Sequence, residues 1–189
     1  MATADNRPGG VELTRLPQVL VALDGRGFLE LPPELARVAF LRDLDLYGLV
    51  AAAARRTPLA VDLDSVDGLA ADAAAVRFVV AELGVRVVAS RRPTVAEEAV
   101  RLGALGLVHV FAFDSTGVAR ALEIHPKLDG TGTLVSPGLV IGHMTADELA
   151  ALPPPVVAYG LVEEEAAARR ILELVDAVAV TPAVALALG

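Results

Sequence analysis

This sequence predicts an α/β fold in one domain: a TIM-barrel-like (β/α)8 arrangement of parallel strands with helices outside. Two observations lead there. Eight short apolar runs rich in Val, Leu and Ala recur along the 189 residues, and most are followed by a stretch with a capping residue and helical spacing. Alternation of that kind implies a parallel sheet covered by helices, because each strand must bury both faces. The length is slightly below the roughly 200 residues or more usual for eight units. An open, doubly wound sheet is therefore the alternative, and closure by the last strand and helix is the step the pattern constrains least.

Residues 1–15 are polar and carry Gly and Pro, which predicts a flexible leader before a barrel domain spanning 16–189. Pro17 to Leu23 reads as the first strand and Asp24 to Gly27 as a turn. A helical turn at Pro33 to Ala36 precedes a second strand at Arg37 to Leu41. Asp43 or Asp45 caps a helix over Leu46 to Arg56, whose terminal arginines suit the negative end of the helix dipole. Thr57-Pro58 stops it, and the third strand, Leu59 to Leu63, runs directly into Asp62, Asp64 and Asp67.

Asp72 caps the next helix, Ala73 to Leu83, with Val76, Val79, Val80 and Leu83 at helical spacing and Gly84 ending it. Val85 to Ser90 is the fourth strand. Thr94, with Glu97 three residues on, reads as a capping box for a helix that Gly103 closes. Gly106 to Phe113 is the fifth strand, and Asp114-Ser115 caps a helix over Thr116 to Ile124. Gly132 to Ser136 is the sixth, followed by a glycine-bearing loop through Met144 and a helix over Thr145 to Leu152. Pro155 to Gly160 is the seventh strand. Glu163 to Leu174 is helical, with acids first and Arg169 and Arg170 later, as the macrodipole favours. Val175 to Val180 is the eighth strand and Pro182 to Leu188 a final helix.

Composition narrows the function. With 54% hydrophobic residues the chain has ample material for a large core. A net charge of -8 repels phosphate backbones unless basic residues are segregated onto one face. Arg55, Arg56, Arg77, Arg86, Arg91, Arg92 and Arg101 are the best source of such a face. Mean hydropathy is high, +0.57, yet no run of about 18 uncharged apolar residues predicts a membrane helix. The absence of cysteine excludes disulfides and thiolate zinc sites, and the opening MATADNRPGG lacks the basic and apolar regions of a signal peptide. A cytoplasmic protein is expected. No phosphate loop, dinucleotide fingerprint or metal cluster stands at convincing spacing, so neither cofactor nor metal is expected.

In a barrel, function gathers at the carboxyl ends of the strands. Those ends supply Asp62 and Asp64, Ser90 with Arg91 and Arg92, Asp114, Ser136 with Gly138, Gly160 beside Tyr159, and Thr181. Asp62 and Asp64 share a face if the strand is still extended there, and such a pair can hold a hard cation or raise one carboxylate's pKa. Alternatively, Asp64 or Ser65 begins a turn and caps a helix. His109 lies in an apolar strand, facing either the interior or the helix layer. Arg91 and Arg92 can clamp a phosphate or carboxylate, or be solvated loop charge. Asp114-Ser115 is an N-cap whose geometry also offers N–H groups to an anion. Gly160 and Thr181 fall in the loops where barrels commonly hold phosphate, but Tyr159 fills space beside them and Pro182 removes a donor.

The order of these motifs resembles the glycerol-uptake operon antiterminator family, over about Arg37 to Val180. AVDLDSVDGLAAD (Ala60 to Asp72) is similar to its third-strand block, VVASRRPTV (Val87 to Val95) to its Ile-Ile-Ser-Thr strand, and HVFAFDS (His109 to Ser115) to its Arg-x-Phe-x-x-Asp-Ser/Thr segment. LVSPGL resembles its Glu-x-Leu-Pro-Gly block, and VAYGLV and AVTPA its Ala-Gly-Gly and Val-Ser/Thr-Thr-Ser endings. The resemblance implies a barrel-like fold, sensing of glycerol 3-phosphate and binding of an mRNA leader so that transcription passes a terminator. Asp62, Gly68, Asp72, Ser90, Phe111, Asp114, Pro137, Gly138, Gly160 and Thr181 match its motifs. Ala60 stands where it has histidine, His109 where it has arginine, Leu134 where it has glutamate, Tyr159 where it has glycine, and Pro182-Ala183 where it has hydroxyl residues. A two-residue insertion falls near Asp64-Ser65.

The expectation is thus a non-catalytic regulator of glycerol metabolism with an altered ligand site. Asp62, Ser90, His109, Asp114, Ser136, Gly138, Gly160 and Thr181 would meet glycerol 3-phosphate or a related small anion, and Arg55, Arg56, Arg91 and Arg92 would meet RNA. Asp62 carries the functional expectation of the acidic pair, and Asp64 that of turn or capping chemistry. Two rivals stand beside it. One is a small barrel enzyme acting on a sugar or triose phosphate with Asp62 or His109 as acid or base. The other is a binding protein whose apolar excess feeds a homo-oligomer interface.

Overall fold

The structure is a computed structural model, and it describes residues 16–24, 27–28, 31, 38–55, 57–112 and 130–189. Eight parallel strands form a closed barrel: β1 (Val19–Leu23), β2 (Ala39–Leu41), β3 (Leu59–Asp62), β4 (Val87–Ser90), β5 (Leu105–Phe111), β6 (Gly132–Ser136), β7 (Val156–Tyr159) and β8 (Ala177–Val180). Each strand pairs with its sequence neighbours, and β8 closes on β1 in the register Val19↔Val178, Leu20↔Ala179, Val21↔Val180. The barrel is the predicted fold, and the open-sheet alternative falls.

Apolar alternation sorts each strand into two faces. Leu20, Phe40, Ala60, Val87, Ala89, Leu107, Leu134, Val157, Ala177 and Ala179 face inward and fill the barrel. Their neighbours, among them Val21, Leu41, Val61 and Val88 on one side and Val135, Ala158, Val178 and Val180 on the other, pack outward under the helices. Fully burying a Leu or Phe is worth about 1.5–3 kcal/mol, which favours the closed form wherever both faces are covered.

The helices are α1 (Leu46–Ala53), α2 (Ala73–Arg77), α3 (Pro93–Arg101), α4 (Ala146–Ala150), α5 (Glu165–Leu172) and α6 (Pro182–Leu188). Asp45 caps α1 by accepting from Gly48 N at 2.7 Å. Asp72 caps α2 through the N–H groups of Ala74 and Ala75, and the helix continues as a π turn over Phe78–Glu82 before Gly84 at φ 71°. Thr145 and Glu148 form a capping box, and its hydrogen bonds, first from the Thr145 backbone, hold the Glu148 carboxyl below its ordinary pKa.

Three local expectations are corrected. Arg92, not Thr94, is the N-cap of α3, because Pro93 takes the first helical position, where its missing N–H costs nothing. Leu63–Ser65 leaves the strand as a 3-10 turn, so Asp62 and Asp64 do not share an extended face. The segment after β6 is a 3-10 helix, Gly138–His143, and not open loop. The predicted turn at Pro33 to Ala36, the cap at Asp114 and the helix over Thr116 to Ile124 lie outside the described residues.

Beyond the barrel rim, Leu44–Asp45 and Val66–Asp67 form a two-residue parallel ladder that joins the segments following β2 and β3. Helix α3 rides directly on β5 at Gly106, where an added Cβ would stand 2.1 Å from the Ala96 carbonyl oxygen. Gly106→Ala is expected to lose about 1–3 kcal/mol by forcing helix and strand apart. Gly142→Ala, with nothing within 4 Å of the new methyl, is the control. Urea unfolding of both variants decides it, and equal midpoints would contradict the packing.

Candidate functional site

Strand alternation carries polar side chains into the barrel at its carboxyl end. Arg42, Asp62, His109, Ser136 and Tyr159 each follow, by two residues, an inward apolar residue: Phe40, Ala60, Leu107, Leu134 and Val157. They form one polar layer above the apolar filling. His109 is buried and central to it: its Nε2 lies 2.8 Å from Ser136 Oγ, and its Nδ1 3.6 Å from Asp62 Oδ2. His109, left open between interior and helix layer by the sequence, therefore meets Asp62 inside. Phe111, at the mouth, packs on His109 at 4.4 Å between ring centroids.

The layer is almost saturated. Tyr159 packs edge-on against Phe40 at 5.1 Å, and its hydroxyl accepts from Arg42, whose guanidinium also lies over the ring and pairs with Asp43 at 2.5 Å. Burial pushes the Tyr159 phenol pKa up, with Arg42 opposing and Asp43 and Asp62 adding. Asp62 Oδ1 alone is buried without a hydrogen-bond partner among the described residues. A buried acceptor left unpaired costs about 1–3 kcal/mol.

Asp64 does other work. Its side chain is 7% exposed, and Oδ2 accepts from Ser90 Oγ at 2.9 Å and from Arg91 N at 2.6 Å. The Nε atoms of Arg91 and Arg92 lie 3.6 and 4.0 Å from the same carboxylate. Ser90, next to inward Ala89, points outward and is wholly buried under this clamp. The structure thus separates Ser90 from Asp62, His109 and Ser136, and it makes Asp64 a tie between the ends of β3 and β4 that turn chemistry alone did not reveal.

Beside the polar layer, a cavity of about 300 Å³ opens between the ends of β1, β2, β7 and β8. Tyr159, Gly160, Thr181, Arg42, Asp24, Asp43 and Glu163 are among its lining residues. Gly160 and Thr181 therefore do share a cavity. Gly160 (φ 82°) and Leu161 (φ 58°) are both left-handed, and Leu161, a non-glycine in that region, marks strain at the rim. Gly138 belongs to packing: its N–H donates to the Gly160 carbonyl at 2.8 Å, and a Cβ would come 2.8 Å from Val162 Cγ2. Arg42, Asp24 and Glu163 were not singled out from the sequence. For Arg42 the signal was present, since Phe40, Leu41 and Arg42 continue the in-out-in beat of a strand that ends in a charge.

The arginines are largely engaged. Arg55 donates to the carbonyls of Phe28 and Leu31 at 2.5 and 3.0 Å and stacks on Phe28. Arg92 also donates to Ala71 O at 2.6 Å. Arg77 and Arg101 both pair with the buried Glu98. Arg56 and Asp114 lie outside the described residues.

A closed ring of eight parallel strands with helices outside belongs to the class of (β/α)8 barrels. Residues 32–184 match the family model described as glycerol-3-phosphate responsive antiterminator, and the chain belongs to that family. Among solved structures, the glycerol uptake operon antiterminator-related protein of Thermotoga maritima is 28% identical, with a TM-score of 0.72 over 90% of this chain and 97% of that one. The glycerol uptake operon antiterminator regulatory protein of Listeria monocytogenes shares the fold at 17% identity, TM-score 0.76, over 91% and 95%. So does the deoxyribose phosphate aldolase of Aeropyrum pernix, at 17% identity and TM-score 0.62 over 88% and 86%. No curated protein matches in sequence. No helix among the described residues is long and apolar enough to cross a membrane.

Two measurements check the site. Asp64→Ala strips the buried Ser90 hydroxyl and the Arg91 N–H of their acceptor and is expected to cost about 1–3 kcal/mol in denaturant unfolding; a loss below a few tenths would show the clamp to be idle. The chain has two tyrosines, so Tyr47→Phe isolates Tyr159. Its phenolate absorbance should rise with a midpoint above 10.0. Because the folded pKa is the higher one, the associated stability is present below that pH and falls as pH rises through the folded value. A midpoint at or below the ordinary value would contradict the buried, neutral phenol.

Proposed function

We propose that this chain is a non-catalytic regulator of the antiterminator type, acting in the cytoplasm on an mRNA leader under control of a small molecule at the barrel mouth. The observation that carries the reading is the polar layer itself, with one buried carboxylate oxygen of Asp62 held without a partner, in a chain of a family described as glycerol-3-phosphate responsive. Glycerol 3-phosphate binding is weakened or replaced here. Tyr159 lines the cavity beside Gly160 and Thr181, and the guanidinium of Arg42 is already paired with Asp43. Calorimetric titration with glycerol 3-phosphate should show no micromolar binding, and finding it would remove this part of the reading.

For RNA, the exposed arginines of the β4 region are the candidates: Arg77, Arg91, Arg92 and Arg101 have side chains 60–72% exposed. Each pairs with Asp64 or Glu98, so phosphates would exchange with carboxylates already in place. Filter binding of a leader transcript should weaken steeply with salt. Arg91→Ala with Arg92→Ala should reduce affinity by about tenfold or more, at a loss of about 1–2 kcal/mol for two phosphate contacts. Unchanged affinity would place RNA elsewhere. A homo-oligomer is part of the same reading, and light scattering across concentrations tests it.

A second reading rests on the line Asp62–His109–Ser136. It has the order of an acid, an imidazole and a hydroxyl, which suits an enzyme acting on a sugar or triose phosphate with Asp62 or His109 as acid or base. Schiff-base chemistry would need an amine at the mouth. The chain has a single lysine, Lys127, and the strands described contain none.

A further inference from the structure

We infer that two copies of this chain pair across the groove between the 3-10 helix Gly138–His143 and α5, in a register set by Arg170 and Glu173. The inference rests on the homo-oligomer reading above and names the surface that forms it. The groove has a volume of about 420 Å³ on the outside of the barrel. Leu139, Ile171 and Leu174 give it an apolar lining, and His143, Arg170 and Glu173 are the polar side chains along it. Leu139 is 41% and Leu174 49% exposed. Beyond α5 the apolar exposure continues on α6, where Leu186 is 58% exposed and Arg169 donates to the neighbouring Ala187 carbonyl at 3.3 Å. Exposed leucines on three successive elements mark an interaction surface.

Charge selects the occupant. The chain carries a net charge of -8, so two copies repel unless they meet where charge is balanced. In this groove the formal charges of Arg170 and Glu173 cancel. Both residues are exposed, and neither side chain has an ion-pair or hydrogen-bond partner among the described residues. Arg169, one residue away, is by contrast held by Glu165 at 2.7 Å. Three residues apart on a helical segment, Arg170 and Glu173 share one face. A face that presents one cation and one anion a turn apart is complementary to itself under a two-fold rotation. With the two α5 helices antiparallel and the axis level with Ile171 and Leu172, each Arg170 stands opposite the Glu173 of the second copy. Both pairs form at once, and the exposed leucines of both copies are covered together.

A second apolar face, on α1, does not meet these conditions. Tyr47 and Val50 are exposed there, at 85% and 43%, yet α1 contains no charged residue to fix a register. Apolar burial is non-directional, so it supplies affinity without choosing one arrangement. Opposite charges across the contact add that choice, because a wrong register brings like charges together. A standard interface buries about 800 Å² on each partner. An eight-residue helix, about 12 Å long, reaches that area only with its flanking elements, here Gly138–His143 and α6.

Sedimentation equilibrium of the full chain, from micromolar to submillimolar concentration, tests this with charge-reversed variants that circular dichroism shows to be folded. The parent should form a dimer. Arg170→Glu and Glu173→Arg each set like charges opposite one another and should weaken association by at least about tenfold. Both reversals in one chain should recover pairing to within a few-fold of the parent. Mixing the two single variants in equal amounts should also restore it, because one then presents two acids and the other two arginines. Leu174→Ser should weaken the dimer as well, while Tyr47→Ser on α1 should leave it unchanged. A monomeric parent overturns the inference together with the homo-oligomer reading and leaves the groove to a different partner. A parent that associates, with single reversals or Leu174→Ser associating equally well, overturns the inference alone. So does a double variant or a mixture that fails to pair, or a Tyr47→Ser that dissociates.

Discussion

Pairing of β8 with β1 is the constraint on which the molecule depends. Open sheets leave two strands with unpaired N–H and C=O groups, and closure removes both edges at once. Here that closure rests on three register pairs, Val19 to Val21 against Val178 to Val180. Because the strands are parallel and adjacent in sequence order, closing the ring brings every carboxyl end to one rim. Side chains more than 100 residues apart, such as Arg42 and Tyr159, become hydrogen-bonding neighbours for that reason. The polar layer is a product of topology before it is a product of chemistry.

Most of the fold was legible because it follows from short-range rules. Apolar runs such as Val85 to Ser90 and Gly132 to Ser136 announced strands, Asp72 announced a cap, and Asp45 was one of two candidates for another, each by bonds that span only a few residues. The site was less legible, since it depends on which way a strand end turns. Asp62 and Asp64 look alike in sequence, yet the chain leaves the strand between them, sending one carboxylate inward to His109 and the other sideways to Ser90. Ser90 and Ala89 are one residue apart and face opposite sides of the wall. At α3 the cap was misread because Pro93 can start a helix without help from a side chain, whereas Thr94 merely has the composition of a cap.

The departures from the resemblance gain meaning from depth. Ala60 and Leu134, where the related motifs carry histidine and glutamate, both belong to the apolar filling of the barrel. His109 and Ser136 lie one inward position nearer the mouth than Leu107 and Leu134, on the same strands. In this chain the inward positions Ala60, Leu107 and Leu134 below the polar layer are apolar.

The small ladder beyond the rim has a consequence for binding entropy. Leu44–Asp45 pairs with Val66–Asp67, Asp43 N reaches Ser65 Oγ at 3.1 Å, and Asp64 fastens the next segment at Ser90 and Arg91. Three successive loops are thus sewn into one continuous wall before any molecule arrives. Ordering a loop around a guest normally consumes part of the interaction energy. On this side of the mouth that ordering is already complete, so even a guest of few atoms can keep most of what its contacts yield.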